Sequence, residues 1–195
     1  MKVIFLDRDG VINEFPGNGK YVTKIKEFHF IPGSIEAIKK LTDQDYKIFI
    51  ISNQAGVGKG VFSKAKLESI NNHMLKYVTK AGGKIKRSFY CTHKSDAGCD
   101  CRKPQIGNLK RAFSLVKGSI RSAKKTFFVG DTEADIRTGY NAGCRTIFVL
   151  SGREDRRYMR KWEVKPDFIV KNLKKAVEVI EHENSNHSRN GRRRT

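Results

Sequence analysis

The sequence predicts an α/β protein: a doubly wound, Rossmann-like and mainly parallel sheet that carries helices on both of its faces. Two observations lead to this fold class. Short apolar runs alternate with longer segments whose apolar residues recur every three or four positions, which is the order of βαβ units. The run at residues 47–52 is nearly continuous in apolar side chains, as in a strand buried on both faces. Parallel strands of this kind need helical crossovers, and the periodic segments supply them.

Each predicted element depends on a local signal. The polar residues 13–24, which include Gly and Pro, predict a loop after the first strand. Pro32-Gly33-Ser34 opens a helix, Ser63 is a helix N-cap, and Gly82-Gly83 ends the helix that Ser63 begins. The predicted strands are residues 2–6, 47–52, 88–92, 126–129, 146–150 and 168–170. The predicted helices are residues 34–41, 63–78, 107–116, 132–141 and 173–180.

The length of the chain, 195 residues, indicates one domain. We assign residues 1–182 to this domain and expect 183–195, which are polar and arginine-rich, to form a basic disordered tail. No loop is long enough to fold by itself, so we expect a capless protein with an open site. The chain has no apolar run of the roughly 20 residues that span a bilayer, and it starts directly with a strand. These features predict a cytoplasmic protein.

The formal net charge of +20 restricts the kinds of partner. From Glu183 onward the chain holds four arginines and one glutamate, so the body of the protein retains a charge of +17. Such a field attracts phosphorylated metabolites, nucleic acid or acidic membranes, or it is only a solvated lysine-rich surface. No aromatic residues alternate with the basic ones as stacking platforms for bases would. We therefore expect a monomer that binds a small phosphorylated metabolite, and neither a membrane nor nucleic acid.

Two carboxylates directly follow the first strand, in Leu6-Asp7-Arg8-Asp9-Gly10. Unpaired charges are costly in a core, whereas the carboxyl ends of parallel strands are where open α/β sheets bind their ligands. Asp7 and Asp9 therefore indicate a metal site, a nucleophile with an acid/base partner, or both. The alternative is a helix N-cap or an Asx-turn, because Asp9-Gly10 is also a common turn dipeptide.

Polar residues also follow two other predicted strands. Ser52 and Asn53 come after the second strand, and Asp131 and Asp135 after the fourth. In a doubly wound sheet these ends lie side by side, so the carboxylates would repel each other unless a cation lies between them. Oxygen ligands next to a phosphate site favour Mg²⁺. Lys103 would add positive charge for a phosphoryl group, although Ser52 could be only a turn residue and Lys103 a surface lysine.

Together these segments resemble the four motifs of the haloacid dehalogenase-like phosphatases. The resemblance covers nearly all of the first 150 residues. Within the superfamily, the chain is most similar to the capless branch that contains heptose bisphosphate and histidinol-phosphate phosphatases. The matching segments are Asp7-x-Asp9-Gly10-Val11-Ile12-Asn13, Ser52-Asn53-Gln54, Arg102-Lys103-Pro104 and Gly130-Asp131-x-x-x-Asp135.

The resemblance implies a role for each matching residue. Asp7 would be the nucleophile that forms an aspartyl-phosphate, and Asp9 the general acid/base. Mg²⁺ would be held by the Asp7 side chain, the Asp9 backbone carbonyl and Asp131. Ser52 and Lys103 would stabilise the transferring phosphoryl group. Asn53 and Arg102 would contact the substrate. Asp135 would orient the catalytic and metal-binding groups.

A second cluster combines three cysteines with one histidine. Cys91, His93, Cys99 and Cys101 lie within eleven residues, and four such ligands fit a closed, structural Zn²⁺ site. A disulfide in a secreted protein, or chance clustering, are the alternatives. The bisphosphatase branch carries a similar loop, which agrees with zinc. Cys144 lies outside the cluster and is expected to be an ordinary buried cysteine.

One further pattern is misleading. The segment Gly56-Val57-Gly58-Lys59-Gly60 resembles a phosphate-binding P-loop, but Gly60 stands where Ser or Thr must bind the metal. We interpret it as a flexible loop at the site, in which Lys59 could contact a second phosphate.

The expected substrate is a small sugar phosphate, in the first place D-glycero-D-manno-heptose 1,7-bisphosphate. Histidinol phosphate is the alternative substrate. A polynucleotide 3′-phosphate is a third possibility, which the charge of +17 on the body of the protein favours. A catalytically inactive binding protein is conceivable on such a fold. The presence of Asp7, Asp9, Lys103 and Asp131 argues against it.

Overall fold

The computed structural model describes residues 2–116, 123 and 126–191, the last six of them as backbone only. The described part of the chain contains six strands and six helices, with short 3-10 turns at Ile25–Glu27 and Tyr158–Lys161. The strands are β1 Val3–Leu6, β2 Lys47–Asn53, β3 Ile85–Cys91, β4 Phe127–Gly130, β5 Arg145–Val149 and β6 Phe168–Val170. The helices are α1 Ser34–Asp43, α2 Ala55–Gly58, α3 Lys64–Lys80, α4 Gly107–Ser114, α5 Glu133–Ala142 and α6 Leu173–Gly191.

The six strands form one sheet in the order β3-β2-β1-β4-β5-β6, and every neighbouring pair is parallel. The predicted doubly wound α/β fold is therefore confirmed. The chain moves outward from β1 through β2 to β3 and then returns to place β4 on the other side of β1. This reversal opens a crevice at the carboxyl ends of β1 and β4, the usual position of a ligand in such sheets.

Helices cover both faces of the sheet because successive strand residues point to opposite sides. In β1, Ile4 and Leu6 pack in a core cluster with apolar residues of α1, α3 and α6. Val3 and Phe5 pack in a second cluster with residues of α4. Phe5 is completely buried there and contacts Phe113 edge to face. The sheet is thus anchored from both sides, which gives its carboxyl edge a rigid support.

The largest difference from the predicted elements is at the C-terminus. We expected α6 to end near residue 180 and the chain to be disordered from 183, but the helix continues to Gly191. Its last described side chains find partners that the sequence did not reveal. Glu183 forms an ion pair with Arg145 at 2.5 Å, and Asn184 donates a hydrogen bond to the Tyr46 hydroxyl at 2.8 Å. Residues 192–195 of the predicted tail lie outside the described residues.

Two smaller differences lie near the carboxyl edge of the sheet. A short helix, α2, replaces the flexible loop expected at residues 56–60. Gly56 lies so close to Phe62 that a Cβ atom there would be 2.5 Å from the ring, so its lack of a side chain permits packing. Strand β3 begins at Ile85, three residues earlier than predicted, because an edge strand with exposed Lys86 and Arg87 lacks an apolar run. Within the described residues, no helix combines the length and the apolar character needed to cross a bilayer.

Candidate active site

A cleft of about 510 Å³ opens at the carboxyl ends of β1, β2 and β4, where the crevice of the sheet was expected. The loops after these strands form its walls. Predicted site residues that line it are Asp7, Asp9, Ser52, Asn53, Arg102, Lys103 and Asp131. Side chains near its rim that no motif contained include Lys20, Tyr21 and Arg153. The topology therefore brings residues from four separate segments of the sequence into one cleft.

Asp7 lies at the base of the cleft, 7 % exposed. Its Oδ1 atom is 3.0 Å from Lys103 Nζ and accepts a hydrogen bond of 2.7 Å from the backbone N–H of Arg8. Burial raises the pKa of Asp7 to about 6, although the charge of Lys103 acts to lower it. The carboxylate is therefore destabilised by its environment, and added positive charge would favour the ionised form that can attack phosphorus.

Lys103 is not a surface lysine but is 5 % exposed between two carboxylates. Its Nζ atom is 2.5 Å from Asp135 Oδ1 and 3.0 Å from Asp7 Oδ1. Burial alone would lower the pKa of Lys103, but the charges of Asp135 and Asp7 more than offset it and raise the pKa above its usual value. The ammonium group thus stays charged at the base of the cleft.

Asp135 is completely buried and completes the N-terminal capping box of α5. Its Oδ2 atom accepts hydrogen bonds from the Thr132 hydroxyl at 2.6 Å and from the backbone N–H of Asp131 at 3.2 Å. Because Oδ1 holds Lys103, one carboxylate joins the end of β4, the start of α5 and the catalytic lysine candidate. This geometry agrees with the orienting role that the sequence suggested.

Asp131 has the features of a cation ligand. Its Oδ2 atom accepts a hydrogen bond of 2.6 Å from the backbone N–H of Arg153, whereas its buried Oδ1 atom has no partner among the described residues. Carboxylate oxygens of Asp7, Asp131 and Asp135 lie within 4.8 Å of one another. Burial and the charges of Asp135 and Asp7 raise the pKa of Asp131 well above its usual value. The unpaired oxygen and the clustered charge fit Mg²⁺, which prefers carboxylate ligands.

The side chain of Asp9 points to a different set of partners. The guanidinium of Arg8 donates to both of its oxygens at 2.8 and 3.0 Å. Asn13 Nδ2 donates to Oδ1 and Gln54 Nε2 to Oδ2, each at 2.8 Å. Arg8, Asn13 and Gln54 are all completely buried. Because both oxygens are held by donors, the orientation of the Asp9 carboxylate is set by buried groups.

These three supporting residues lie within the motifs, but the sequence alone indicated no role for them. Arg8 lies between the two aspartates in the sequence. Its guanidinium is 6.0 Å from the ring centroid of Phe28 and 5.7 Å from that of Tyr90, so it is enclosed by aromatic rings. A charged residue directly between two strand-end carboxylates was the available signal, because a buried arginine needs an acidic partner.

Asn53 also has a structural partner that the sequence did not indicate. Its side chain accepts a hydrogen bond from the backbone N–H of Lys103 at 3.1 Å and donates to the Lys103 carbonyl at 3.3 Å. This reciprocal pair fixes the end of β2 to the segment that carries Lys103. Asn53 and Arg102 both line the cleft, so a contact with substrate remains a prediction.

The sequence of the chain is similar to those of known phosphatases. A family model described as HAD-hydrolase-like matches residues 100–176. The chain is 33 % identical over 156 residues to D-glycero-beta-D-manno-heptose-1,7-bisphosphate 7-phosphatase from Pseudomonas putida, covering 80 % of this chain and 86 % of the relative. It is 35 % identical to the D-glycero-alpha-D-manno-heptose-1,7-bisphosphate 7-phosphatase of Campylobacter jejuni, with coverages of 77 % and 83 %.

A solved structure extends the likeness to three dimensions. The D,D-heptose 1,7-bisphosphate phosphatase of Bordetella bronchiseptica, crystallised with magnesium and phosphate, matches with a TM-score of 0.84 and 30 % identity. The match covers 94 % of this chain and 99 % of that one. The chain belongs to the haloacid dehalogenase-like phosphatases. It is an enzyme of the heptose-bisphosphatase branch of that superfamily, as the four sequence motifs indicated.

In this phosphatase the cysteine and histidine cluster lies directly before the segment of Arg102 and Lys103. Its four ligand atoms are 3.2 to 3.7 Å apart along the four measured edges. A tetrahedron with metal–ligand bonds of about 2.0 to 2.3 Å has edges of similar length. The two measured sulfur–sulfur distances, 3.5 and 3.6 Å, are too long for disulfides. The cluster of Cys91, His93, Cys99 and Cys101 can therefore hold a metal ion.

The cluster is well connected to the rest of the phosphatase. Asn108, at the start of α4, donates a hydrogen bond of 3.1 Å to the Cys101 carbonyl. Gly58 of α2 lies against the loop, and a Cβ atom there would be 2.4 Å from the Thr92 carbonyl oxygen. Cys144 lies apart from the cluster and is buried, which raises the pKa of its thiol to about 12. Its interpretation as an ordinary buried cysteine agrees with this position.

The raised pKa of Asp7 predicts how the metal-free protein responds to pH. Since the folded value is about 6 and the unfolded value 3.8, the folded state binds more protons between them, and stability falls as pH rises. Asp7→Asn lacks this titrating group and serves as the reference. We expect the stability of the wild type relative to this variant, measured as the difference in free energy of unfolding, to decrease by about 2 to 3 kcal/mol from pH 4 to pH 7. Urea unfolding in EDTA at several pH values measures it. A difference that rises with pH would contradict the prediction.

Proposed function

We propose that the protein is a Mg²⁺-dependent phosphatase that removes the 7-phosphate of D-glycero-D-manno-heptose 1,7-bisphosphate through an aspartyl-phosphate on Asp7. The observation that carries the proposal is the buried Asp7 carboxylate at the base of an open cleft, 3.0 Å from Lys103 Nζ and close to Asp131. The activities for which the relatives are named support this substrate. Those names include both anomers, so the proposal leaves the anomer open.

In the first half of the reaction, an Asp7 carboxylate oxygen attacks phosphorus, and the bond from phosphorus to the sugar oxygen breaks. Asp9 donates a proton to the departing sugar alkoxide. In the second half, Asp9 takes a proton from water, which attacks the phosphorus of the aspartyl-phosphate and releases inorganic phosphate and the Asp7 carboxylate. Mg²⁺, held by the side chains of Asp7 and Asp131 and the Asp9 backbone carbonyl, would supply charge neutralisation.

The remaining residues position and screen the phosphoryl group. Lys103 Nζ lies beside Asp7 and offsets the repulsion between two anions. Ser52, 3 % exposed and lining the cleft, offers a hydroxyl donor. Asn53 and Arg102 contact the substrate from the cleft wall, and Asp135 holds Lys103 in place. These roles account for each predicted site residue of the four motifs.

A phosphate-release panel tests the proposal. Both anomers of the heptose bisphosphate, histidinol phosphate and a 3′-phosphorylated oligonucleotide would be compared by kcat/KM with Mg²⁺. We expect one heptose anomer to exceed the other substrates by at least about tenfold, because contacts outside the reacting group contribute to kcat/KM. The oligonucleotide addresses the strongly basic composition. A preference for histidinol phosphate or for the oligonucleotide would replace the proposed substrate and keep the reaction type.

Zinc is part of the proposal as a structural ion held by Cys91, His93, Cys99 and Cys101. All four ligands come from the protein, so a closed tetrahedral site leaves no position for substrate. The ion would order the loop that presents Arg102 and Lys103 to the cleft. A cytoplasmic location, where thiols stay reduced, and a monomeric state complete the proposal.

We expect the purified protein to contain about one zinc per chain, since a closed structural site binds its ion tightly. Removing the zinc should lower activity by more than tenfold even in excess Mg²⁺, because Lys103 loses the support of its loop. Added Zn²⁺ should restore it, and added Mg²⁺ alone should not. Metal analysis with a native thiol count measures the first result. Oxidised cysteines, with activity lost under reductant, would instead indicate a disulfide and contradict the cytoplasmic location.

A further inference from the structure

Gln54 is a buried polar residue that the proposed reaction does not use. It is completely buried behind the cleft wall, directly after β2. Its Nε2 atom donates to Asp9 Oδ2 at 2.8 Å and to Ser52 Oγ at 3.3 Å. Its Oε1 atom is buried with no hydrogen-bond partner among the described residues. An unpaired buried oxygen costs free energy that an apolar side chain would avoid, so packing alone does not explain this glutamine.

One amide group of Gln54 links two residues of the site. Its NH₂ carries two hydrogens and can donate to a carboxylate and a hydroxyl together. The opposite orientation of the amide would place Oε1 against the Asp9 carboxylate, so the neighbours determine which end faces Asp9. Since Ser52 Oγ accepts from Gln54, its own hydrogen is left to donate elsewhere. The Ser52 hydroxyl also acts to lower the pKa of the Asp7 carboxyl group, so it belongs to the surroundings of the proposed nucleophile.

Asn13 and Arg8 also donate hydrogen bonds to the Asp9 carboxylate, but among the described residues neither forms a hydrogen bond with Ser52. Asn13 Nδ2 donates to Asp9 Oδ1 and to the Glu14 carbonyl, and Arg8 donates to both Asp9 oxygens. Among the hydrogen bonds of the described residues, only the Gln54 side chain joins Asp9, which follows β1, to Ser52 in β2. Gln54 thus links the orientation of the acid/base candidate to that of the phosphoryl-binding hydroxyl.

We propose that Gln54 is a positioning residue, which holds the Asp9 carboxyl group in line with the leaving oxygen and directs the Ser52 hydroxyl proton towards the phosphoryl group. This inference rests on the proposed function, because it assumes that Asp9 protonates the leaving group. Gln54 itself does not line the cleft, so it acts through its two neighbours and not through the substrate.

The inference predicts a dependence on the leaving group. A sugar alkoxide is a poor leaving group and needs the proton of Asp9, whereas p-nitrophenolate leaves readily as the anion. General acid catalysis contributes about 10²- to 10⁴-fold, so partial misplacement of Asp9 should lower kcat/KM for the heptose bisphosphate by about 10- to 100-fold. The same change should lower kcat/KM for p-nitrophenyl phosphate less than about fivefold, because that ester needs little acid catalysis.

The experiment compares wild type, Gln54→Met and Gln54→Ala on D-glycero-D-manno-heptose 1,7-bisphosphate and p-nitrophenyl phosphate. Methionine keeps the approximate volume of the side chain, and alanine removes the amide by a different change in shape. Gln44→Met is the matched control, because Gln44 follows α1 and donates to Glu181, away from the cleft. Thermal unfolding of each variant reports on the fold.

A larger loss on the heptose ester than on the nitrophenyl ester in either folded variant, with Gln44→Met like the wild type, supports the inference. Equal losses on both esters, or no loss, would overturn it and leave the proposed function intact. Failure of both variants to fold would also overturn it, because Gln54 would then be a packing residue. A wild type that releases phosphate from neither ester would instead reject the proposed function.

Discussion

Replacement of Asp7 by Asn should lower phosphatase activity to less than about one per cent of wild type, since loss of a nucleophile costs several powers of ten. An amide nitrogen or oxygen cannot replace the carboxylate oxygen that forms the acyl phosphate. The fold should survive the change, because the wild-type carboxylate is itself destabilised by burial, which raises its pKa to about 6. Steady-state kinetics and urea unfolding of the same preparation measure the two effects.

Asp43→Asn is the control for the Asp7 experiment. Asp43 ends α1 and forms an exposed ion pair with Lys39, and neither residue lines the cleft. Its replacement should change stability by less than about 1 kcal/mol and leave kcat unchanged, as is usual for surface ion pairs. Activity of Asp7→Asn above one per cent, in protein shown by mass to be free of deamidation, would reject Asp7 as the nucleophile.

Replacement of Lys103 by Met should have the next largest effect. Methionine keeps the volume but removes the only side-chain cation within ion-pair distance of Asp7 among the described residues. We expect kcat to fall about 10²- to 10³-fold, the usual cost of losing one group that stabilises transition-state charge. Metal-free stability should also fall by about 3 to 5 kcal/mol at pH 7, because the change leaves buried carboxylates without their partner.

The loss of stability in Lys103→Met should itself depend on pH. Protonation of the unpaired carboxylates removes their charge, so the difference from wild type should shrink as pH falls towards 4. Lys110→Met, an exposed position on α4, is the matched control and should behave like the wild type. Unfolding curves at several pH values in EDTA, with kcat measured in Mg²⁺, separate the two effects. Normal turnover by Lys103→Met would remove Lys103 from the reaction.

The wild-type arrangement around Lys103 shows why a single buried lysine is retained in an acidic site. Three carboxylates, those of Asp7, Asp131 and Asp135, meet at the carboxyl ends of β1 and β4. One ammonium group cannot neutralise three anions, and burial raises the pKa of both Asp7 and Asp131. Mg²⁺ binding would supply the missing charge, so we expect added Mg²⁺ to stabilise the folded enzyme by RT ln(1 + [Mg²⁺]/Kd).

Much of the site could be predicted because short sequence segments contain its reactive groups. Apolar runs that end in carboxylates identify the strand ends, and the α/β alternation places those ends at one edge. Asp7, Ser52, Lys103 and Asp131 were therefore expected in one cleft, and they line it. The cysteine and histidine spacing likewise predicted a metal site, and the four ligand atoms lie within 4.8 Å of one another.

Side-chain partners could not be predicted, because they depend on register between strands that are distant in sequence. Gln54 reaches Asp9 only because β1 and β2 pair in parallel with Leu6 opposite Ile50. The C-terminal segment is a second example: we expected disorder from residue 183, whereas α6 continues to Gly191. Composition indicated a solvated tail, but the first turn beyond the expected boundary contacts Tyr46 and Arg145, which come from other elements.

The sequence by itself determined the fold class, the order of the motifs and the chemical groups that the site contains. These depend on periodicity and residue type, which are local properties of a chain. The tertiary structure decided which group faces which: Asn53 holds the Lys103 backbone, and Arg8, Asn13 and Gln54 surround Asp9. Such pairings arise only when the sheet brings separate strand ends within hydrogen-bond distance. Burial then favours them, because a buried donor or acceptor without a partner costs free energy.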